Sequence, residues 1–238
     1  MIHALAEQDR RERVNLLAAI AVVSVLLWQT QIGMLLLYPF TILATWFHEM
    51  GHGIAAMALG GTFERLLIFP DGSGVALSLT PVELSRMGAA AIAAGGPLGP
   101  AIAGGALIVA SRSHRATRIA LTVLGIVMLA STLIWVRTMT GWIVLPGLGA
   151  VILWTARRAS DAQRRFAIQL LGVQACISVW QQFGYLFSPG GVIDGQVQRS
   201  DTGVIADVTS LPYWAWGAII STATAALMIW SLRIALRR

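Results

Sequence analysis

The chain has 238 residues, of which 56% are hydrophobic and 12% charged, with a mean hydropathy of +0.72. Soluble domains carry about 25% charged residues, so half that value, with apolar runs of 18 residues or more, excludes an ordinary soluble globule and predicts a polytopic membrane protein. The formal charge of +6 comes entirely from arginine on the basic side; the arginines bunch between apolar segments without interleaved aromatics, which argues against a nucleic-acid partner and for loop anchors at a lipid bilayer.

A membrane helix needs about 20 apolar residues. That ruler predicts seven segments, near 14–37, 39–60, 86–110, 117–136, 139–156, 166–187 and 211–232. The first follows Arg10, Arg11 and Arg13 as a signal peptide would, but it lacks a small-residue cleavage site and runs past Trp28 to Tyr38, so it reads as a retained span. Tyr38-Pro39 is the expected break between the first two segments. Trp135, Trp142, Trp154, Trp180, Trp214, Trp216 and Trp230 fall mostly near segment ends, where aromatic belts sit.

Residues 61–84 differ in character. Leu66 to Phe69, then Pro-Asp-Gly-Ser-Gly, then Val75 to Leu79 predicts two short strands around a turn. Such a hairpin is either an ordinary surface feature or an exposed edge able to hold an extended peptide. In the third segment, Gly95-Gly96-Pro97-Leu98-Gly99-Pro100 either interrupts the helix beside a cavity or lets another helix approach closely.

Arginines 112, 115 and 118, then 157, 158, 164 and 165, then 233, 237 and 238 fall on one side if the last four segments each cross once. The positive-inside rule makes that side cytoplasmic. Counting back through three spans puts Arg10, Arg11 and Arg13 opposite, among Glu7, Asp9 and Glu12; either the amino terminus is outside or one early segment does not cross. Cys176 is the only cysteine, which excludes an intrachain disulfide and a cysteine-rich metal site.

Residues 48–52 read His-Glu-Met-Gly-His inside the second segment. At 3.6 residues per turn His48 and His52 share a helix face, with Glu49 beside any metal they hold. With four histidines and five glutamates in the chain, a chance match is on the order of one in a thousand. Ionisable groups in the middle of a span are costly and mark function. A catalytic zinc takes three protein ligands and leaves one position open. His48 and His52, both neutral, supply two; Glu49 is badly placed as a ligand and well placed to take a proton from water. For the third, His3 and His114 lie in charged segments and read as solvated. Three aspartates cluster late: Asp194 in Ile-Asp-Gly, where a turn is the plain reading; Asp201 after Ser200, where the plain reading is a helix N-cap; and Asp207, which can simply be solvated.

The His-Glu-Met-Gly-His helix, the hairpin with Pro-Asp-Gly-Ser-Gly and the Gly-Gly-Pro-Leu-Gly-Pro segment together resemble the site-2 protease family, in its compact bacterial branch without a PDZ domain. The likeness runs from about residue 40 to 216. It implies an all-α polytopic membrane protein of about six to seven transmembrane helices with a short β-hairpin after the zinc helix, a single integral-membrane unit over residues 1–238 in which 61–84 is an insertion. It also implies Zn2+ as cofactor and an aspartate on a later segment as third ligand. Larger members carry that aspartate in Asn-Pro-x-x-x-Leu-Asp-Gly, which Ile193-Asp194-Gly195 only partly echoes. Ser200-Asp201 followed by Thr209-Ser210-Leu211-Pro212 is similar to the compact branch, so the resemblance favours Asp201 first and Asp194 second.

The activity implied is zinc-dependent hydrolysis of membrane-anchored protein substrates in the bacterial inner membrane, with Glu49 catalytic and His48, His52 and Asp201 on the metal. In this family the substrates include regulators such as anti-sigma factors. The alternative is an inactive scaffold or pseudoprotease that binds transmembrane helices. A metal transporter expects further histidines or carboxylates along segments four to six, which have essentially none. A zincin with a glutamate as third ligand lacks any glutamate after Glu83.

Overall fold

The computed structural model describes residues 2–236. Arg237 and Arg238, and the side chains of His3, Glu7, Asp9, Arg10 and Arg13, lie outside the described residues. The order of elements is α1 (Ile2–Trp28), α2 (Gln31–Ala58), β1 (Thr62–Ile68), β2 (Gly74–Leu79), α3 (Arg86–Ala110), α4 (His114–Ile134), α5 (Met139–Arg158), α6 (Asp161–Gln181), α7 (Phe183–Leu186), β3 (Gly190–Ile193), β4 (Gln196–Arg199), α8 (Asp201–Val208) and α9 (Tyr213–Leu236). Helices dominate, with two small hairpins, as an all-α membrane fold requires. Helices α3, α4, α5 and α9 are each long and apolar enough to cross a bilayer, and the pair Val14–Trp28 and Gln31–Ala58, bent by 117°, makes a fifth if it counts as one span.

Two of the expected boundaries differ. The break between the first two segments falls at Gln29–Thr30, not at Tyr38-Pro39, and Pro39 lies inside α2. Thr30 is extended and its hydroxyl accepts from the Gly33 amide at 3.0 Å, so an N-cap starts a new helix there. Three polar residues in a row, Gln29-Thr30-Gln31, were the signal. The sixth expected segment, 166–187, begins earlier as α6 and ends at Gln181. It is not apolar enough to pass as a span alone: it carries Gln169 and Gln174 in its middle, and both are buried by neighbouring helices. Gln174 Nε2 donates to Ser24 Oγ of α1 at 3.1 Å.

The main core gathers Ile42, Leu43 and Trp46 of α2, Leu66 and Ile68 of β1, Leu121 and Met128 of α4, Leu145 of α5 and Ile168 of α6. The first hairpin is antiparallel, Leu66 opposite Ala76 and Ile68 opposite Gly74, with an irregularity between Phe63 and Arg65. Its β1 begins four residues before the expected Leu66. The other edge of β1 is closed by the α4–α5 link: Leu66 N–H donates to Trp135 O at 2.8 Å and Arg137 N–H to Leu66 O at 3.0 Å. Phe63 stacks on Trp135, centroids 4.9 Å apart. Among the described residues β2 pairs only with β1, so its outer edge is the open one.

The Gly-Gly-Pro-Leu-Gly-Pro run does not break α3. Pro97 and Pro100 sit inside a continuous helix, and the glycines permit backbone contact. A Cβ on Gly99 would meet Phe47 O at 2.5 Å, and one on Gly95 would meet Gly51 O at 2.7 Å. Close approach through small residues is the outcome.

A second hairpin, β3–β4, was absent from the sequence reading. Its signal was Val-Ile-Asp-Gly-Gln-Val: Asp194 (φ 49°) and Gly195 (φ 73°) both take the positive-φ conformation that a two-residue type I′ turn demands. Finally, Glu12 and Leu16 of α1 share a surface cavity with His114, Ala162 and Arg165. Glu12 and Leu16 of α1 therefore lie beside the arginine-rich loops, not opposite them.

Candidate metal centre

Helix α2 presents His48, Glu49 and His52 one turn apart on its buried face; His48 and Glu49 are each 6% exposed. The third group arrives from far along the chain. Asp201, 7% exposed, opens α8 and points between the two imidazoles. His48 Nε2 stands 3.0 Å from Asp201 Oδ2, and His52 Nε2 stands 3.2 Å from Asp201 Oδ1. One ligand atom from each residue falls within 4.8 Å of the others.

Two of the three donors are aimed by a second contact. His52 Nδ1 lies 2.8 Å from Ile92 O of α3, a carbonyl that can only accept, so Nδ1 carries the proton and Nε2 offers its lone pair. Asp201 is not the N-cap expected by the plain reading; Ser200 is. The Ser200 hydroxyl accepts from Gly203 N–H at 3.0 Å and donates to Ser188 O at 2.5 Å. Thr202 Oγ1 donates to Leu186 O at 2.9 Å, so the two neighbours of Asp201 staple α8 to the end of α7 and to the residues just after it. Arg199 forms a two-pronged ion pair with Asp207, Nε to Oδ2 at 2.9 Å and Nη2 to Oδ1, which ties the end of β4 to the last turn of α8.

The residues suit a metal ion. A buried carboxylate oxygen, Asp201 Oδ2, has no hydrogen-bond donor. Three lone-pair groups facing one another repel unless a cation or proton lies among them. Donors about 2.0–2.1 Å from a tetrahedral zinc stand roughly 3.3 Å from one another, close to the two separations found. Gly96 completes the cradle, since a Cβ there would collide with Nε2 of both His52 and His48.

Two clefts meet at this point. One of about 370 Å³ is bounded by His48, Glu49, His52 and Asp201 on one side and by β2 and α3 on the other. A second, about 210 Å³, reaches His48 and Glu49 past Thr45, Ser73 and Gln182. Tyr185, Gly74 and Ile193 border both. Glu49 packs against Gly74, where a Cβ would fall 2.9 Å from Glu49 Cγ and 3.1 Å from Oε1. Thr45 Oγ1 donates to Gly72 O at 2.5 Å and holds the turn of the hairpin on α2.

The other candidates lie elsewhere. Asp194 occupies the β3–β4 turn and is not part of the cluster. Asp207 is spent on Arg199. His114 is exposed and stands 3.4 Å from Asp161. The sequence reading missed Gly96, the Ile92 carbonyl, Gly74 and Tyr185. Gly96 had a signal in its double glycine; the others act through backbone or shape and have none.

Residues 17–231 match the family model described as Peptidase M50B-like. No curated protein and no solved structure matches the chain.

Proposed function

Because the chain belongs to the Peptidase M50B-like family, the site-2 proteases, we propose that it is an intramembrane zinc metallopeptidase hydrolysing peptide bonds of membrane-anchored protein substrates. The observation that carries this reading is the convergence of His48, His52 and Asp201 with Glu49 beside them at the meeting of two clefts. His48, His52 and Asp201 are assigned as the metal ligands and Glu49 as the catalytic residue. Bound zinc supplies Lewis acidity, which polarises a carbonyl and brings the ionisation of water toward neutral pH.

The protein side of the reaction follows from position. Water reaches Glu49 through the clefts. Glu49 takes a proton as the water oxygen bonds to the scissile carbonyl carbon, then delivers it to the amide nitrogen as the C–N bond breaks, and ends unprotonated. A transmembrane substrate hides its carbonyls in its own helix and must unwind locally to be cut. The open edge of β2, whose Gly74, Val75, Ala76 and Ser78 line the larger cleft, is suited to hold the unwound strand by main-chain hydrogen bonds.

Membrane placement is part of the proposal. Taking α1 and α2 as one bent span and α6 as a further crossing screened by its neighbours gives six crossings; taking α1 and α2 separately gives seven. Six returns the chain to its starting side, which agrees with Glu12 of α1 lying beside His114 and Arg165 and makes that side cytoplasmic. The bacterial inner membrane is the location the family resemblance suggests.

The test is Glu49→Gln in reconstituted protein with a membrane-embedded substrate. Metal content stays stoichiometric while turnover falls by about 10²–10⁴-fold. Unchanged turnover removes Glu49 from the mechanism, and absence of cleavage by metal-loaded wild type against a panel of single-span substrates favours the pseudoprotease.

A further inference from the structure

At the arginine-rich end of the bundle, between the start of α4 and the α5–α6 turn, lies an open cavity of about 620 Å³. It shares no lining residue with the clefts at Glu49, so what it does rests on the membrane placement proposed above and not on the peptidase chemistry. We infer that it holds the phosphate of an anionic phospholipid, with an acyl chain lying along the exposed apolar flank of α4.

Charge points to the headgroup. Four arginines (115, 118, 157 and 164) line the cavity against one carboxylate, Asp161, leaving three positive charges in excess. Asp161 is already engaged, 2.9 Å from Arg164 Nη1 and 3.4 Å from His114 Nδ1. Among the described residues Arg115, Arg118 and Arg157 have no carboxylate partner. Three guanidinium groups on one wall repel each other, and at a membrane boundary the penalty is less screened than in bulk water. Helices α4 and α6 both begin here, at His114 and Asp161, so two positive dipole ends add to the field.

Apolar shape points to a lipid over a soluble anion. The same cavity is walled by Ile119 and Val123, which are 52% and 53% exposed, and the flank continues with Ile126 at 51%. A free phosphate gains nothing from such a wall. A phospholipid anchored by its phosphate covers it with hydrocarbon, and basic pockets between membrane helices near the cytoplasmic surface are suited to such headgroups.

The experiment is a lipid titration of delipidated full-length protein in nonionic detergent, read by native mass spectrometry. The probes are phosphatidylglycerol and phosphatidylcholine with identical palmitoyl and oleoyl chains. Wild type binds phosphatidylglycerol about tenfold or more tightly; Arg118→Gln weakens it about fivefold; and the triple variant Arg115→Gln, Arg118→Gln, Arg157→Gln shows no preference. Arg112→Gln, outside the cavity, stays within about twofold of wild type. Equal binding of the two lipids by wild type overturns the inference, as does a preference that survives Arg118→Gln unchanged, which decides the matter even if the triple variant does not fold. A large excess of inorganic phosphate leaves phosphatidylglycerol bound; complete displacement would show a soluble-anion site and overturn the assignment to lipid.

Discussion

The two ends of the helix bundle solve opposite problems with charged side chains. At the candidate metal centre, one carboxylate and two imidazoles are drawn together largely out of solvent, and two of the three are aimed by specific contacts: Ile92 O for His52, and the Ser200 and Thr202 hydroxyl staples for Asp201. At the arginine end the side chains of Arg115 and Arg118 are exposed, and among the described residues no carboxylate fixes them. Buried polar groups carry a desolvation cost that only good geometry offsets, so the centre tolerates little displacement. Exposed charges act by sign and number over about a Debye length, so any one of them can move or be lost at small cost to the stability of the fold.

That contrast can be broken. Its largest expected effect is Asp201→Ala, which lowers zinc affinity by more than about 100-fold, while Asp194→Ala in the β3–β4 turn stays within about twofold. Elemental analysis of dialysed protein reads both, and equal retention of metal by the two variants would remove Asp201 from the ligand set. Next comes Gly96→Ala. Its new Cβ lands on both imidazole nitrogens, and metal affinity drops about 10–100-fold although no ligand has changed; unaltered zinc content would mean that α3 yields more readily than its close packing on α2 implies.

A smaller effect belongs to Ser200→Ala. Losing the cap at the start of α8 destabilises the protein by about 1 kcal/mol, and because the cap aims Asp201, zinc affinity falls in parallel. Denaturant unfolding in micelles, with and without added zinc, separates the two: a stability loss with unchanged affinity would show that Asp201 is held by the rest of α8. The smallest is Arg115→Gln at the other end, which shifts the unfolding midpoint by less than about 2 °C and leaves peptide cleavage untouched. A large loss of stability there would erase the distinction between the two ends.

Much of this was legible because local chemistry dominates locally. The spacing of His48, Glu49 and His52 needs only helical periodicity to place them on one face, and Pro-Asp-Gly-Ser-Gly needs only turn chemistry to make the first hairpin. The reading failed where two local signals competed. Pro39 looked like a stop, yet the Thr30 cap set the boundary and α2 absorbed the proline. Asp194-Gly195 carried a hairpin signal that was read as a turn without its strands. Segment 166–187 was judged by its apolar content, whereas α6 carries buried glutamines that neighbouring helices, not lipid, must cover.

By itself, then, the order of residues determined a membrane-borne helical chain, a pair of histidines on one helix face with a carboxylate beside them, and a side of the bundle rich in arginine, because hydropathy, helical period and charge are properties of neighbours in sequence. Only the folded arrangement decided that Asp201 and not Asp194 faces His48 and His52, that Gly96 leaves room for both rings, and that Glu12 of α1 lies beside His114 and Arg165. Those outcomes join groups up to about 150 residues apart, and which distant groups meet depends on how whole helices pack, a quantity no local pattern contains.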